Sequence, residues 1–157
     1  MKALYAAVAA AAVLASPSVI AQEKPADNMA IVMEKVRADK KLVVAANMQL
    51  TEQEAAAFWP VYEAYQKDLT PLNDRIKSTI ESYATAYNQG TVPDETAKKL
   101  LDETLAIEAS ELDLKRSYVS KFGKVLPAAK VARYYQIESK IRAAIRYELA
   151  SGIPLVP

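Results

Sequence analysis

The sequence predicts an all-α fold, a four-helix bent hairpin or bundle with long helices. Apolar residues recur every three or four positions over long segments, which is the repeat of one helix face. Strand-like alternation is missing between these segments, and only three glycines interrupt the 157 residues. Residues 22–157 suit a single all-helical domain with one core. The chain has no cysteine, so packing alone must support that core.

Residues 1–21 are predicted to be a signal peptide. Lys2 supplies the positive start, residues 6–14 form an apolar run, and Val19-Ile20-Ala21 forms a small-residue cleavage site. This run is shorter than the roughly 20 residues that span a bilayer. We therefore expect a periplasmic or secreted protein with no integral membrane segment after cleavage. A buried N-terminal helix is the alternative, but no polar residue interrupts residues 3–15 to create an amphipathic face.

The first helix is predicted over about residues 27–46. Its apolar side comprises Met29, Val32, Met33, Val36 and Val43. The pair Lys40-Lys41 is expected to lie on the solvated face of this helix and not in a binding site.

The second helix is predicted over residues 51–88, and its start carries a clear signal. In Leu50-Thr51-Glu52-Gln53-Glu54, the Thr51 hydroxyl can accept from the Glu54 N–H while the Glu54 carboxylate accepts from the Thr51 N–H, a capping box. Gly90 marks the end of the helix.

Two prolines, Pro60 and Pro71, oppose a continuous second helix because each removes an internal hydrogen bond. The apolar stripe nevertheless holds its phase across Pro71, which favours one bent helix over two. A break with Thr70 as a new cap is the alternative. The stripe consists of Phe58, Tyr62, Tyr65, Leu69, Leu72, Ile76, Ile80, Tyr83 and Tyr87.

The third and fourth helices are predicted over about residues 94–124 and 127–150. The third helix carries two apolar series, Leu100-Ile107-Leu114 and Leu105-Leu112-Val119-Leu126. A helix that is apolar on two sides has two neighbours, one of which can belong to a second chain. The fourth helix faces inward with Val131, Tyr134, Ile137, Ile141, Ile145 and Leu149. The apolar tail after Gly152 either docks on the bundle or frays.

Composition excludes several kinds of chemistry. Without histidine or cysteine the chain cannot form Ser-His-Asp or Cys-His nucleophiles, or zinc and copper sites with nitrogen and sulfur ligands. It also has no glycine-rich phosphate loop. We therefore expect no catalytic residue, no cofactor and no metal. An enzyme would have to rely on Arg, Lys and carboxylates.

Charge is distributed unevenly. Residues 22–113 carry ten Lys or Arg and seventeen Asp or Glu, whereas residues 114–157 carry nine and two. Pairing of the acidic and basic segments, within the bundle or between two copies, explains this asymmetry. Binding to anionic clients or to a membrane surface is the alternative. No nucleic acid partner is expected, because the protein is predicted to be exported.

A weak internal repeat appears when Leu50 is aligned with Leu126. The aromatic pairs Phe58-Trp59 and Tyr134-Tyr135 then fall at the same distance from the leading leucine. The second segment reads Leu126-Pro127-Ala128-Ala129-Lys130 and shares only its leucine with Leu50-Thr51-Glu52-Gln53-Glu54.

The chain resembles the Spy/CpxP group of exported, all-helical, ATP-independent chaperones and stress-response regulators. In that group a Leu-Thr-x-x-Gln motif opens a long helix and recurs before a later one. Leu50 and Thr51 match the first copy, Glu54 stands in place of the glutamine, and Leu126 alone remains of the second. The resemblance implies a cradle-shaped homodimer that binds unfolded or envelope proteins. The histidine-dependent metal response of some members is not implied.

We expect such binding to use accessible aromatic area surrounded by charge. The candidate client- or partner-binding residues are Phe58, Trp59, Tyr62, Tyr65, Tyr134 and Tyr135. Trp59 and Tyr135 lie about 100° off the stripes of their helices, which favours a surface or intersubunit position. For the other aromatic residues, such as Tyr62 and Tyr65, a core position is the favoured interpretation.

Two alternatives remain open. One is a structural or regulatory bundle without client binding. The other is a small all-helical enzyme, such as an exported chorismate mutase, in which arginines clamp a dicarboxylate. Arg37, Arg75, Arg116 and Arg133 could form such a clamp only if they converged inward.

Overall fold

The computed structural model describes residues 40–157, so the predicted signal peptide and most of the first predicted helix lie outside the described residues. The described chain is all-α, as predicted. Helix α1 is described over residues 40–48. It is followed by α2 (Glu52–Asn88), α3 (Asp94–Gly123) and α4 (Ala128–Gly152). In this part of the chain, no helix has the length and apolarity that crossing a membrane requires.

Helix α2 begins with the predicted capping box. The Glu54 N–H donates to the Thr51 hydroxyl at 3.2 Å, and the Thr51 N–H donates to a Glu54 carboxylate oxygen at 2.8 Å. Two backbone donors that have no partner inside the helix are thereby satisfied. The sequence signal and the geometry agree at this position.

Thr51→Ala should lower the free energy of unfolding by about 1 kcal/mol, because the Glu54 N–H loses its acceptor. Denaturant unfolding of the variant and the wild-type chain measures this difference. Ser82→Ala is a suitable control, since the Ser82 hydroxyl is exposed and bonds only to a carbonyl of its own helix. An unchanged stability for Thr51→Ala would show that the cap contributes nothing to folding.

Helix α2 runs through Pro60 and Pro71 as one helix of 37 residues. The Thr70 hydroxyl donates to the Gln66 carbonyl one turn earlier at 3.2 Å, so Thr70 does not cap a new helix. The phase of the apolar stripe therefore predicts the continuity of α2 better than the prolines predict a break.

The buried face of α1 differs from the predicted one. Val44 and Met48 are fully buried, whereas Val43 is 42% exposed. The helix also continues to Met48, two residues beyond the predicted end. Gln49 follows with φ of 52°, a left-handed conformation that turns the chain toward α2. Val43 was predicted to face inward because it continues an apolar series of α1. The sequence of α1 alone does not show which of its sides contacts the other helices.

The helices pack side by side in an up-and-down arrangement. Gly90 joins α2 to α3 with φ of 91°, a conformation that favours glycine. The contacts Arg75–Glu103 and Phe58–Phe122 show that α3 runs antiparallel to α2. Helix α4 returns beside both of them, and α1 lies antiparallel to α2 and α4.

The core is aromatic and lies where α1 meets the first half of α2, the end of α3 and the start of α4. Its centre is Phe122, whose ring centroid is 4.6 Å from that of Tyr134 and 5.6 Å from that of Phe58. The buried cluster comprises Val44, Met48, Phe58, Tyr62, Tyr65, Leu69, Leu72, Tyr118, Phe122, Leu126, Val131 and Tyr134.

The C-terminal tail is partly docked. The Tyr83 hydroxyl donates to the Pro154 carbonyl at 2.9 Å, which ties the tail to the far half of α2. Leu155 and Val156 beyond this bond are 90% and 55% exposed. The tail therefore docks at its start and is open to solvent at its end.

Candidate functional site

The structure places four of the six candidate aromatic residues in the core. Phe58, Tyr65 and Tyr134 are fully buried, and Tyr62 is 3% exposed. Their rings pack edge-on or tilted against one another at centroid distances typical of stabilising aromatic pairs. In the folded state these four side chains stabilise the bundle and have almost no exposed surface.

Trp59 and Tyr135 lie at the edge of this core, half-buried. The Lys41 ammonium sits 5.2 Å from the Trp59 ring centroid, and the Tyr135 hydroxyl donates to the Lys115 carbonyl at 2.9 Å. Both are thus the least buried of the six, as their helical phases predict, yet each already has a partner within the chain.

The fifth residues of the two aligned segments contact each other. Lys130 forms a salt bridge to Glu54 and also donates to the Gln49 carbonyl at 3.1 Å. Hydrogen bonds from Lys130 and from the Thr51 backbone lower the pKa of the Glu54 carboxyl. The fifth residues of the two segments therefore carry opposite charges that tie the start of α4 to the start of α2.

Lys40 is buried, which contradicts the expectation that Lys40-Lys41 forms a solvated face. The Lys40 ammonium is 2.5 Å from a Glu138 carboxylate oxygen and 2.9 Å from the Gln66 amide oxygen. Glu138 has no exposed surface and Lys40 only 8%. Burial lowers the pKa of Lys40, and the Glu138 carboxylate opposes that shift. Only Lys41 is exposed, in a pair with Glu63.

A second buried carboxylate, Glu111, connects α3 to α4. It accepts from Arg142 and from Arg146 at 3.3 Å, and Lys115 lies 2.7 Å away. Burial raises the pKa of Glu111, but the hydrogen bonds from Arg142 and Lys115 outweigh that effect, so the pKa lies below its ordinary value. Sequence reasoning missed both carboxylates. Their only signal was their phase, since Glu138 follows Tyr134 and Glu111 follows Ile107 by one turn.

A groove of about 500 Å³ runs along α2, α3 and α4. Its floor includes the apolar residues Ile76, Ile107, Ile145 and Leu149, and Lys40 and Lys41 stand at one end. The cationic groups of Lys67, Arg142 and Arg146 also line it. The groove can receive an apolar surface that carries carboxylates at its edges.

The arginines named as a possible clamp do not converge. Arg75 binds Glu103 with two nitrogens at 2.8 and 3.1 Å, while Arg133 donates to the Asn47 carbonyl near the end of α1. Arg116 is 71% exposed. Arg37 lies outside the described residues. Arg142 and Arg146 share the groove, but both already hold Glu111.

Helix α3 exposes a row of large apolar side chains on the side away from the core. This α3 stripe consists of Leu101, Leu105, Leu112 and Val119, which are 59%, 56%, 48% and 49% exposed. Three of the four belong to the second predicted apolar series, whereas Ile107 of the first series is buried. From Leu101 to Val119 the stripe extends over 19 residues, about 27 Å of helix.

Over residues 40–157, the fold and these surfaces define a class of protein, an all-helical bundle with an aromatic core, a buried ionic network and an exposed apolar row on α3. Among residues 40–157, no group of three acidic side chains is placed to hold a metal ion. The sequence and structure match no family model, no curated protein and no solved structure. The proposed function therefore depends on the surfaces of the molecule itself.

Proposed function

We propose that the protein is an exported, ATP-independent chaperone-like or envelope-stress interaction protein that holds unfolded or partner proteins by reversible contact. The exposed α3 stripe is the single observation that carries this proposal. Small soluble proteins rarely expose several large aliphatic side chains in one continuous row unless the row contacts another molecule. The predicted signal peptide and the resemblance to the Spy/CpxP group support the same function and a periplasmic or secreted location.

The surroundings of the α3 stripe suit a binder of polypeptides. Glu108, Asp113 and Arg116 flank the stripe, with 54%, 76% and 71% of their side chains exposed. Such charges keep a complex soluble while the leucines supply adaptable apolar contact. We therefore propose the outer face of α3 as the contact surface, in place of the candidate aromatic residues, four of which are buried in the core.

The same stripe fits a second copy of the chain, so we propose a homodimer at rest. Helix α3 is acidic in its first two thirds and basic in its last third. In an antiparallel pair with its two-fold axis at Leu112, Leu105 faces Val119 of the second copy. Glu108 then faces Arg116, and Leu101 faces the open space beside Gly123. One helix pair of this length buries little area, so the dimer should be weak and should give way to a client.

The client test uses an unfolded protein that aggregates on dilution, monitored by light scattering without ATP. A stoichiometric amount of the wild-type chain should slow aggregation, and the double variant Leu105→Glu/Leu112→Glu should not. Tyr147→Glu is the matched control, because Tyr147 is 73% exposed but lies on α4 outside the stripe. Equal activity of both variants would refute the α3 stripe as the contact surface, and an inactive wild-type chain would refute the function.

The dimer is tested by reversing charges at the proposed interface and measuring self-association by sedimentation velocity. Arg116→Glu should weaken self-association several-fold, because Glu108 and residue 116 of the second copy then repel each other. The double variant Glu108→Arg/Arg116→Glu should restore it. Leu112→Glu should weaken it by more than about tenfold, since two carboxylates then meet at the axis. A wild-type chain that stays monomeric at all concentrations would contradict the proposal.

A further inference from the structure

Three buried polar atoms of α2 and α4 have no hydrogen-bond partner in the part of the chain that the structure describes. They are the Tyr65 hydroxyl, Oε2 of Glu138 and Nε of Arg142. Tyr65 and Glu138 have no exposed surface, and the Arg142 side chain is only 12% exposed. Buried polar atoms of folded proteins are nearly always paired, either with protein or with ordered water. We propose that one internal water molecule binds here and contacts all three atoms.

The packing of α2 against α4 brings the three groups together. Glu138 and Arg142 are one turn apart on the same face of α4. The Tyr65 ring lies 6.2 Å from the Tyr134 ring, measured between centroids, and Glu138 follows Tyr134 by one turn. Burial raises the pKa of Tyr65 most, the Glu138 carboxylate raises it further, and the Arg142 guanidinium opposes the shift. Both charged groups therefore lie close to the Tyr65 hydroxyl.

The bonding capacity of each group identifies the ligand as water. Nε of Arg142 can only donate, a carboxylate oxygen of Glu138 accepts, and the Tyr65 hydroxyl can do both. A water oxygen accepts from Arg142 and from Tyr65, while one of its protons goes to Glu138. Three hydrogen bonds are usual for a buried water. The Glu138 carboxylate repels an anion at this position, and the guanidinium of Arg142 repels a cation.

The other atoms of the two charged side chains are already bonded, which holds the unpaired atoms in place. Oε1 of Glu138 is 2.5 Å from the Lys40 ammonium. The terminal nitrogens of Arg142 donate to the Asn73 amide oxygen at 3.3 Å and to Glu111. The water thus joins two buried ion pairs, Lys40–Glu138 and Glu111–Arg142, into one network. Each of α1, α2, α3 and α4 contributes a side chain to it.

The water site lies beside the groove and apart from the α3 stripe. Lys40, Asn73 and Arg142 line the groove, whereas Tyr65 and Glu138 do not line it and are fully buried. The site therefore belongs to the interior of the bundle, and its occupancy does not depend on the proposed client surface.

A high-resolution crystal structure of the wild-type chain tests the site directly. It should show a water oxygen at about 2.7–3.2 Å from the Tyr65 hydroxyl, from Oε2 of Glu138 and from Nε of Arg142. A direct bond between Tyr65 and Glu138, another side chain bonded to these atoms, or the lack of a water among them would overturn the proposal.

Tyr65→Phe tests the site in solution, because it removes the hydroxyl and leaves the ring. If the hydroxyl bonds to the water, a buried hydrogen bond is lost, and the equilibrium constant of unfolding should rise roughly fivefold in denaturant titrations. An unchanged or lower constant would show that the hydroxyl has no partner and would overturn the proposal. The matched control Tyr147→Phe should have no effect, since Tyr147 is 73% exposed. Neither measurement involves a client, so failure here is distinct from failure of the proposed function.

Discussion

Glu138→Ala should destabilise the protein by about 3–5 kcal/mol, because it leaves the Lys40 ammonium buried without its counter-charge. Lys40 joins α1 to both α2 and α4 through its contacts to Gln66 and Glu138. The loss is measured by denaturant unfolding at neutral pH. An unchanged dependence of the unfolding free energy on denaturant concentration would indicate that the transition stays two-state.

A double variant separates the ion pair from simple packing. In Lys40→Met/Glu138→Leu both charges are replaced by apolar groups of similar size, and the unfolding free energy should return close to the wild-type value or exceed it. Glu63→Ala is the exposed control, because its pair with Lys41 lies on the surface and should contribute less than about 1 kcal/mol. If Glu138→Ala were as mild as Glu63→Ala, Lys40 and Glu138 would not be buried as a pair.

Alkaline pH should unfold the protein steeply, because the buried tyrosines must lose their protons on unfolding. Burial raises the pKa of Tyr62, Tyr65 and Tyr134 far above the ordinary value, and it is the largest cause of the shift in each of them. Burial also raises the pKa of Tyr118 and of Tyr135 to about 12. Each raised pKa stabilises the folded state fully below the unfolded pKa of about 10, and this stabilisation is lost as the pH rises.

Between pH 10 and 12 the free energy of unfolding should fall by about 1.4 kcal/mol per pH unit for each tyrosine that stays protonated only in the folded state. Lys40 acts in the opposite direction, since its pKa is lowered by folding, but it is a single group. Unfolding free energies at a series of pH values should therefore fall together with the rise of tyrosinate absorbance. A folded protein whose tyrosines all titrate near pH 10 would show that the aromatic cluster is exposed and is not a core.

The sequence predicts the helices well because their signals are local. The reciprocal bonds of Thr51 and Glu54 involve residues three positions apart, and the phase of the α2 stripe depends only on the chain's own period. Both features are therefore readable without knowledge of any neighbour. The fold class and the path of α2 through Pro71 follow from them.

The surfaces and the buried charges were harder to predict because they depend on which faces meet. Lys40 and Glu138 are 98 positions apart, and no local pattern reveals that a lysine of one helix pairs with a carboxylate of another. The aromatic residues were ambiguous for the same reason, since a stripe can form a core or a contact surface. The second apolar series of α3 was the better predictor of an exposed contact surface, because a helix in a small bundle needs only one apolar side for its own fold.

Cysteine accessibility measures directly whether a client covers the α3 stripe. Leu105→Cys and the control Leu155→Cys each place one thiol at an exposed position, one on the stripe and one on the tail. Maleimide labelling rates are compared with and without an unfolded client, at a protein concentration below that of self-association. The client should slow labelling at position 105 several-fold and leave position 155 unchanged. Equal rates at position 105 with and without a bound client would contradict the account.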